Sequence, residues 1–118
     1  MSYDSFPTAE VLNDQPGSSS SYYIRWGDSE VKVLERGAEF SRCRHVRTGY
    51  EMDILTKYLF EDAEITACND CTDYILPLKH GDIVSIVEET SRGAFVKHNG
   101  TSGWYYGNLQ KKGCAGFA

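Results

Sequence analysis

Asn99-Gly100 is the residue pair that most narrows the folds open to this chain. Asn-Gly suits both central positions of a type I′ turn, whose twist matches two antiparallel strands. The pair lies between the strand-like runs 93–98 and 103–106, so it predicts a hairpin. Upstream, Leu76-Pro77-Leu78 and Lys79-His80-Gly81-Asp82 lead into Ile83-Val84-Ser85-Ile86-Val87. Alternation along a strand puts Val84 and Ile86 on one face, assigned here to the interior. By the same rule Tyr105 points inward between Trp104 and Tyr106, and Leu55, Leu76 and Leu78 join it.

Stretch 76–109 resembles the second half of an SH3 (Src-homology-3) domain. The matching residues are Leu76-Pro77-Leu78, the turn Lys79-His80-Gly81-Asp82, strand 83–87, Ala94-Phe95, and Gly103-Trp104-Tyr105-Tyr106-Gly107-Asn108-Leu109. The resemblance implies a mainly β chain: a small five-stranded SH3-like barrel with a helical N-terminal extension. Leu76-Pro77-Leu78-Lys79-His80-Gly81-Asp82 is similar to the L-P-L-K-x-G-E pattern of the helically extended SH3 domains of ADAP-type adaptors. On that reading residues 1–22 form a disordered polar tail. Residues 23–49 form the extension, 50–112 the barrel, and 113–118 a flexible tail.

The expectation of a disordered start rests on Pro7, Pro16, Gly17 and the serine run 18–21, with few apolar residues to bury. Tyr3, followed by Asp4 and Phe6, is a candidate phosphorylation site. Two readings compete for 28–47. A helix over 35–46 would gather Arg42, Arg44, His45 and Arg47 at its C-terminal end, where they complement the helix dipole. A hairpin is the alternative, because 22–26 and 30–34 alternate around Gly27-Asp28. The helix is preferred, although Gly37 weakens it by about 1 kcal/mol relative to alanine.

A formal net charge of −5 argues against general nucleic-acid binding. No apolar run approaches the ~20 residues needed to span a bilayer. No secretory leader is evident, so the four cysteines are expected as reduced thiols in a cytoplasmic protein, membrane-associated on the lipid-binding alternative. Cys68-Asn69-Asp70-Cys71 supplies two thiolates where a structural zinc site needs four ligands, and no metal or other cofactor is expected. No Ser-His-Asp set, phosphate-cradling glycine loop or H-E-x-x-H occurs, so no enzymatic activity is expected.

The resemblance implies a peptide-binding groove, and carrying it over residue by residue shows divergence. Residues 54–58 stand for the first strand, with Thr56 in place of a groove tyrosine and Tyr58 retained. Ala94 stands for the groove tryptophan, Tyr106 for the proline and Leu109 for the last tyrosine. Glu61 and Asp62 belong to an acidic loop suited to a basic peptide residue. Tyr58, Glu61, Asp62, Trp104, Tyr106 and Asn108 are therefore the candidate ligand surface. The expected partner is a protein or peptide outside the usual PxxP class. The expected function is a non-catalytic interaction module of a signalling adaptor or scaffold. The alternative is attachment to acidic lipid headgroups through Arg42, Arg44, His45 and Arg47.

Overall fold

The computed structural model describes residues 6–19 and 21–112. Among them the strands are, in order, β1 (Thr8–Val11), β2 (Tyr23–Ile24), β3 (Glu30–Glu35), β4 (Phe40–His45), β5 (Glu51–Leu55), β6 (Ile65–Ala67), β7 (Cys71–Thr72), β8 (Ile83–Glu89), β9 (Ala94–His98), β10 (Thr101–Tyr105) and β11 (Leu109–Lys111). One 3-10 turn spans Thr56–Tyr58. The chain is thus mainly β, as expected. It divides into two compact units: Tyr22–Asp73, and a second that joins the chain up to Ser21 with the chain from Tyr74 onward.

The discontinuous unit is built on an antiparallel sheet of order β10-β9-β8-β1-β11. The hairpin predicted at Asn99-Gly100 is present. Both residues have positive φ, 52° and 82°, and β9 pairs with β10 from His98↔Thr101 to Ala94↔Tyr105. That register follows from a two-residue turn, because fixing the innermost pair fixes every pair beyond it. Val84, Ile86 and Tyr105 point inward as their alternation requires, and Leu76 and Leu78 join them. Ala9, Val11, Ala94 and Val96 complete this core.

Thr8–Val11, expected in a disordered tail, is instead an inner strand of the sheet. It pairs with β8 through Ala9↔Val84 and with β11 through Ala9↔Lys111. Ala9 and Val11 are fully buried. Four alternating residues between a proline and a polar stretch fall below what composition can detect. The following segment is also held. Gln15 bridges to Leu78, and Ser18 N–H donates to the Ile75 carbonyl at 3.0 Å. The backbone groups of a low-complexity stretch still need partners when they are covered, and here the chain around Leu76 supplies them.

In Tyr22–Asp73 the helix expected over 35–46 is absent. β3 and β4 form an antiparallel hairpin, and the sheet order is β5-β4-β3-β6. Along β4 burial alternates with period two: Ser41, Cys43 and His45 face inward while Arg42 and Arg44 face out. That period excludes a helical stripe, and the basic spacing that suggested a helix end is the outer face of a strand. The hairpin alternative around Gly27-Asp28 is not the pairing found either, since β2 pairs with β7. Residues 52–55, expected as the first barrel strand, lie in β5, which pairs with β4 in this unit. A single barrel over 50–112 is therefore not what forms. The core here is Ile24, Val31, Cys43, Met52, Ile54 and Cys68. Residues 113–118, read as a flexible tail, lie outside the described residues.

Each core holds one buried polar group with a defined environment. Tyr105 is fully buried, and its hydroxyl donates to the Asn108 carbonyl at 2.9 Å and accepts from Asn13 N–H at 3.1 Å. Burial is the main reason the Cys43 thiol is raised from its ordinary 9.0 to about 11.

Val11→Ala is expected to cost at least about 1 kcal/mol in urea unfolding, whereas a residue in a disordered tail would cost nothing. The folded state holds the Cys43 proton more tightly than the unfolded state. Its stabilising contribution is therefore complete below pH 9.0 and lost as pH rises through about 11. Under reducing conditions the wild type should lose about 2–3 kcal/mol more than Cys43→Val between about pH 8 and pH 11.

Candidate functional site

The register of the β9–β10 hairpin places Phe95 directly across from Trp104. Both have the strand parity opposite to buried Ala94, Val96 and Tyr105, so they share the outer face. Their ring centroids are 5.2 Å apart with planes at 52°. Trp104 and Tyr106 are stacked, with centroids 6.3 Å apart and planes within 9°. The three rings form a continuous row, and Tyr106 is half exposed.

Two devices hold Trp104 and Tyr106 in place. A Cβ on Gly93 would lie 2.7 Å from Tyr106 Cδ1, so only glycine lets the ring approach this closely. Gln15 pins the backbone on either side of Tyr105. Its Nε2 donates to the Trp104 carbonyl at 3.0 Å and to the Leu76 carbonyl at 2.7 Å, and its Oε1 accepts from Tyr106 N–H at 3.0 Å. Asn108 lies beyond, with its N–H donating to Asn13 Oδ1 at 2.8 Å. Rigid aromatic rings on a strand pair offer large contact area at low entropic cost.

The expected ligand surface is divided between the units. Trp104, Tyr106 and Asn108 belong to the discontinuous unit, and Tyr58, Glu61 and Asp62 to the other. Tyr58 packs against the Ile24–Cys68 core. Asp62 pairs with Arg36 Nε at 3.1 Å, and the Glu61 carbonyl accepts from the same guanidinium. Thr56 Oγ1 donates to the Gly37 carbonyl at 2.8 Å within the hairpin unit. Ala94 is a core residue and Leu109 packs against that core, which explains why neither carries a large exposed ring.

The basic cluster is neutralised where it stands. Arg44 donates twice to Glu51, at 2.9 and 3.2 Å, across the β4–β5 ladder. Arg42 pairs with Asp53 at 3.4 Å, and Arg47 with Asp28. His45 is buried, with Nε2 on the Asp28 carbonyl at 2.7 Å and Nδ1 on the Tyr22 hydroxyl. Tyr22 stacks on Tyr50 at 4.1 Å, and Tyr50 donates to Asp73, which holds the Tyr50 hydroxyl above its usual value. Tyr3 lies outside the described residues.

A groove of about 420 Å³ lies by Asp14, Gln15, Pro16, Pro77, Leu78, Lys79 and Asp82. Its carboxylates accept from local backbone: Asp14 from His80 N–H at 2.7 Å, Asp82 from Lys79 N–H at 2.9 Å. Among the described residues no group of three or more His, Cys, Asp or Glu is placed to hold a metal ion. No helix among them is long and apolar enough to cross a membrane.

Sequence reasoning missed Phe95 and Gln15. Phe95 was recoverable, since the Asn99-Gly100 turn alone sets it opposite Trp104. Gln15 carried no signal, because its partners are backbone atoms far along the chain. The chain matches no family model, no curated protein and no solved structure.

Gln15→Ala removes three hydrogen bonds to the backbone beside the row. It should cost about 1–3 kcal/mol and shift the Tyr106 and Trp104 amide signals, while Gln15→Glu should retain the contact to Tyr106 N–H.

Proposed function

We propose that the discontinuous unit is an SH3-like barrel that serves as a non-catalytic protein-interaction module, with Phe95, Trp104 and Tyr106 as its contact surface. The stacked Trp104–Tyr106 pair on the outer face of β10 is the observation that carries this reading. The strand order β11-β1-β8-β9-β10 supports the barrel. It places a short N-terminal strand between the last strand and a three-strand meander, as in the SH3 pattern. On this reading the barrel's first strand is Thr8–Val11, and Tyr22–Asp73 is an insertion in its first long loop. The insertion is closed at its base. Tyr22 N–H donates to Asp73 Oδ1 at 2.9 Å, and Thr72 Oγ1 donates to the Tyr22 carbonyl at 2.7 Å.

The partner is a peptide or protein segment with apolar or aromatic side chains. A polyproline ligand needs parallel ridges with slots between them. Here Tyr106 lies so close to Gly93 that a Cβ there would stand 2.7 Å from its ring. The charges of Arg42, Arg44 and Arg47 are matched by Glu51, Asp53 and Asp28, which takes support from attachment to acidic lipids.

A peptide library displayed on phage, selected on the full chain and followed by amide titration, tests this. Selected peptides should shift signals at Phe95, Trp104 and Tyr106. Trp104→Ala should weaken binding by about 2 kcal/mol, roughly thirtyfold. Selection of PxxP peptides whose affinity is unchanged in Trp104→Ala would sink the proposal.

A further inference from the structure

Trp26 stands in the turn between β2 and β3, and its backbone is held on both sides. Asp28 N–H closes the turn on the Arg25 carbonyl at 3.0 Å, and Trp26 N–H donates to Asp70 Oδ1 at 2.7 Å. The side chain is nonetheless 74% exposed, the highest value for a large apolar residue among the described residues. A solvated indole on a fixed backbone forgoes the burial its size offers the fold, and suits a contact. Strand pairing sets its neighbours. Leu59 bridges to Cys68, and Phe60 N–H donates to the Ala67 carbonyl at 3.0 Å. Leu59 and Cys68 belong to the core, so alternation turns Phe60 and Ala67 outward. β6 in turn sets Ala67 opposite exposed Glu30 of β3. Phe60, Ala67 and Glu30 thus make one cross-strand row with its smallest side chain in the middle. The Trp26 ring lies 6.2 Å from that of half-exposed Phe60, with planes at 39°.

The charges beside this row are unevenly matched. Arg25 lies over the Tyr23 ring at 4.7 Å, Lys32 pairs with Glu64 at 3.5 Å, and Arg47 pairs with Asp28. Glu30 and Asp70 enter no ion pair among the described residues. We propose that Trp26, Phe60, Ala67 and Glu30 form a separate contact site, in Tyr22–Asp73, for an arginine side chain of a partner protein. The guanidinium lies over Ala67, about 5 Å from the row member on either side. Its face meets the aromatic pair and its N–H edge meets the Glu30 carboxylate. The Asp70 carboxylate adds negative potential beside the indole. Lysine fits less well, because a compact ammonium has neither a flat face to stack nor a fork of donors. The site is independent of the Phe95–Trp104–Tyr106 row and stands whether or not that row binds a peptide.

The test titrates a hexa-arginine peptide into the full chain at about 150 mM salt, where the long-range pull of the −5 charge is screened. The Trp26 indole signal and the Phe60, Ala67 and Glu30 amide signals should shift together. Trp26→Ala should weaken binding about tenfold and Glu30→Gln about threefold or more. Glu35→Gln removes an exposed carboxylate elsewhere on β3 and should leave the affinity unchanged. A hexalysine peptide should bind about threefold more weakly or worse. Both altered side chains are exposed, and unmoved Val31 and Ile54 signals would show that each variant is folded. Four results would each overturn the proposal: affinity unchanged in Trp26→Ala, equal losses in Glu35→Gln and Glu30→Gln, hexalysine binding as tightly as hexa-arginine, or self-association of the chain through Trp26 without peptide.

Discussion

The pairing of β1 on both of its edges is the constraint on which the discontinuous unit depends. Without Thr8–Val11 the sheet would split, leaving β8 with one partner and β11 with none. Only four residues make this connection, yet both inward side chains, Ala9 and Val11, are fully buried. The strand brings Asn13 and Gln15 with it. Asn13 meets the Tyr105 hydroxyl and the Asn108 amide, and Gln15 meets the backbone of Trp104 and Tyr106. One short strand thus joins β11 to the rest of the sheet and brings with it the residues that hold the backbone beside the aromatic row.

Period two governs the hairpin unit in the same way. On β4 it sends Cys43 and His45 to the core and sets Arg42 and Arg44 in register with Asp53 and Glu51. Charges that look like a basic patch in sequence become cross-strand pairs of opposite sign, each worth little energetically but removing the net field of the cluster. Buried His45 is satisfied at both nitrogens, so it belongs to the packing of this unit.

The aromatic row depends on surface area and rigidity, supplied by Gly93 and Gln15.

Much of the hairpin half was legible in the sequence. Asn99-Gly100 specified a turn, the turn specified a register, and alternation then specified Val84, Ile86 and Tyr105 as core. These are local rules, and they apply wherever the residues that obey them are neighbours. The first strand was not legible, because Thr8–Val11 is held by residues more than seventy positions away and has no turn beside it to set its register. The basic cluster misled for a related reason. Spacing along the chain does not say whether the period is helical or extended until the partner strands are known, and Glu51 and Asp53 were those partners. The sequence by itself determined a β chain with a C-terminal hairpin carrying Trp104 and Tyr106. Tertiary structure decided which N-terminal strand completes the sheet, which acids neutralise the arginines, and that Cys68 and Cys71 pack with one core. Each of these is a contact between segments whose pairing no local preference dictates.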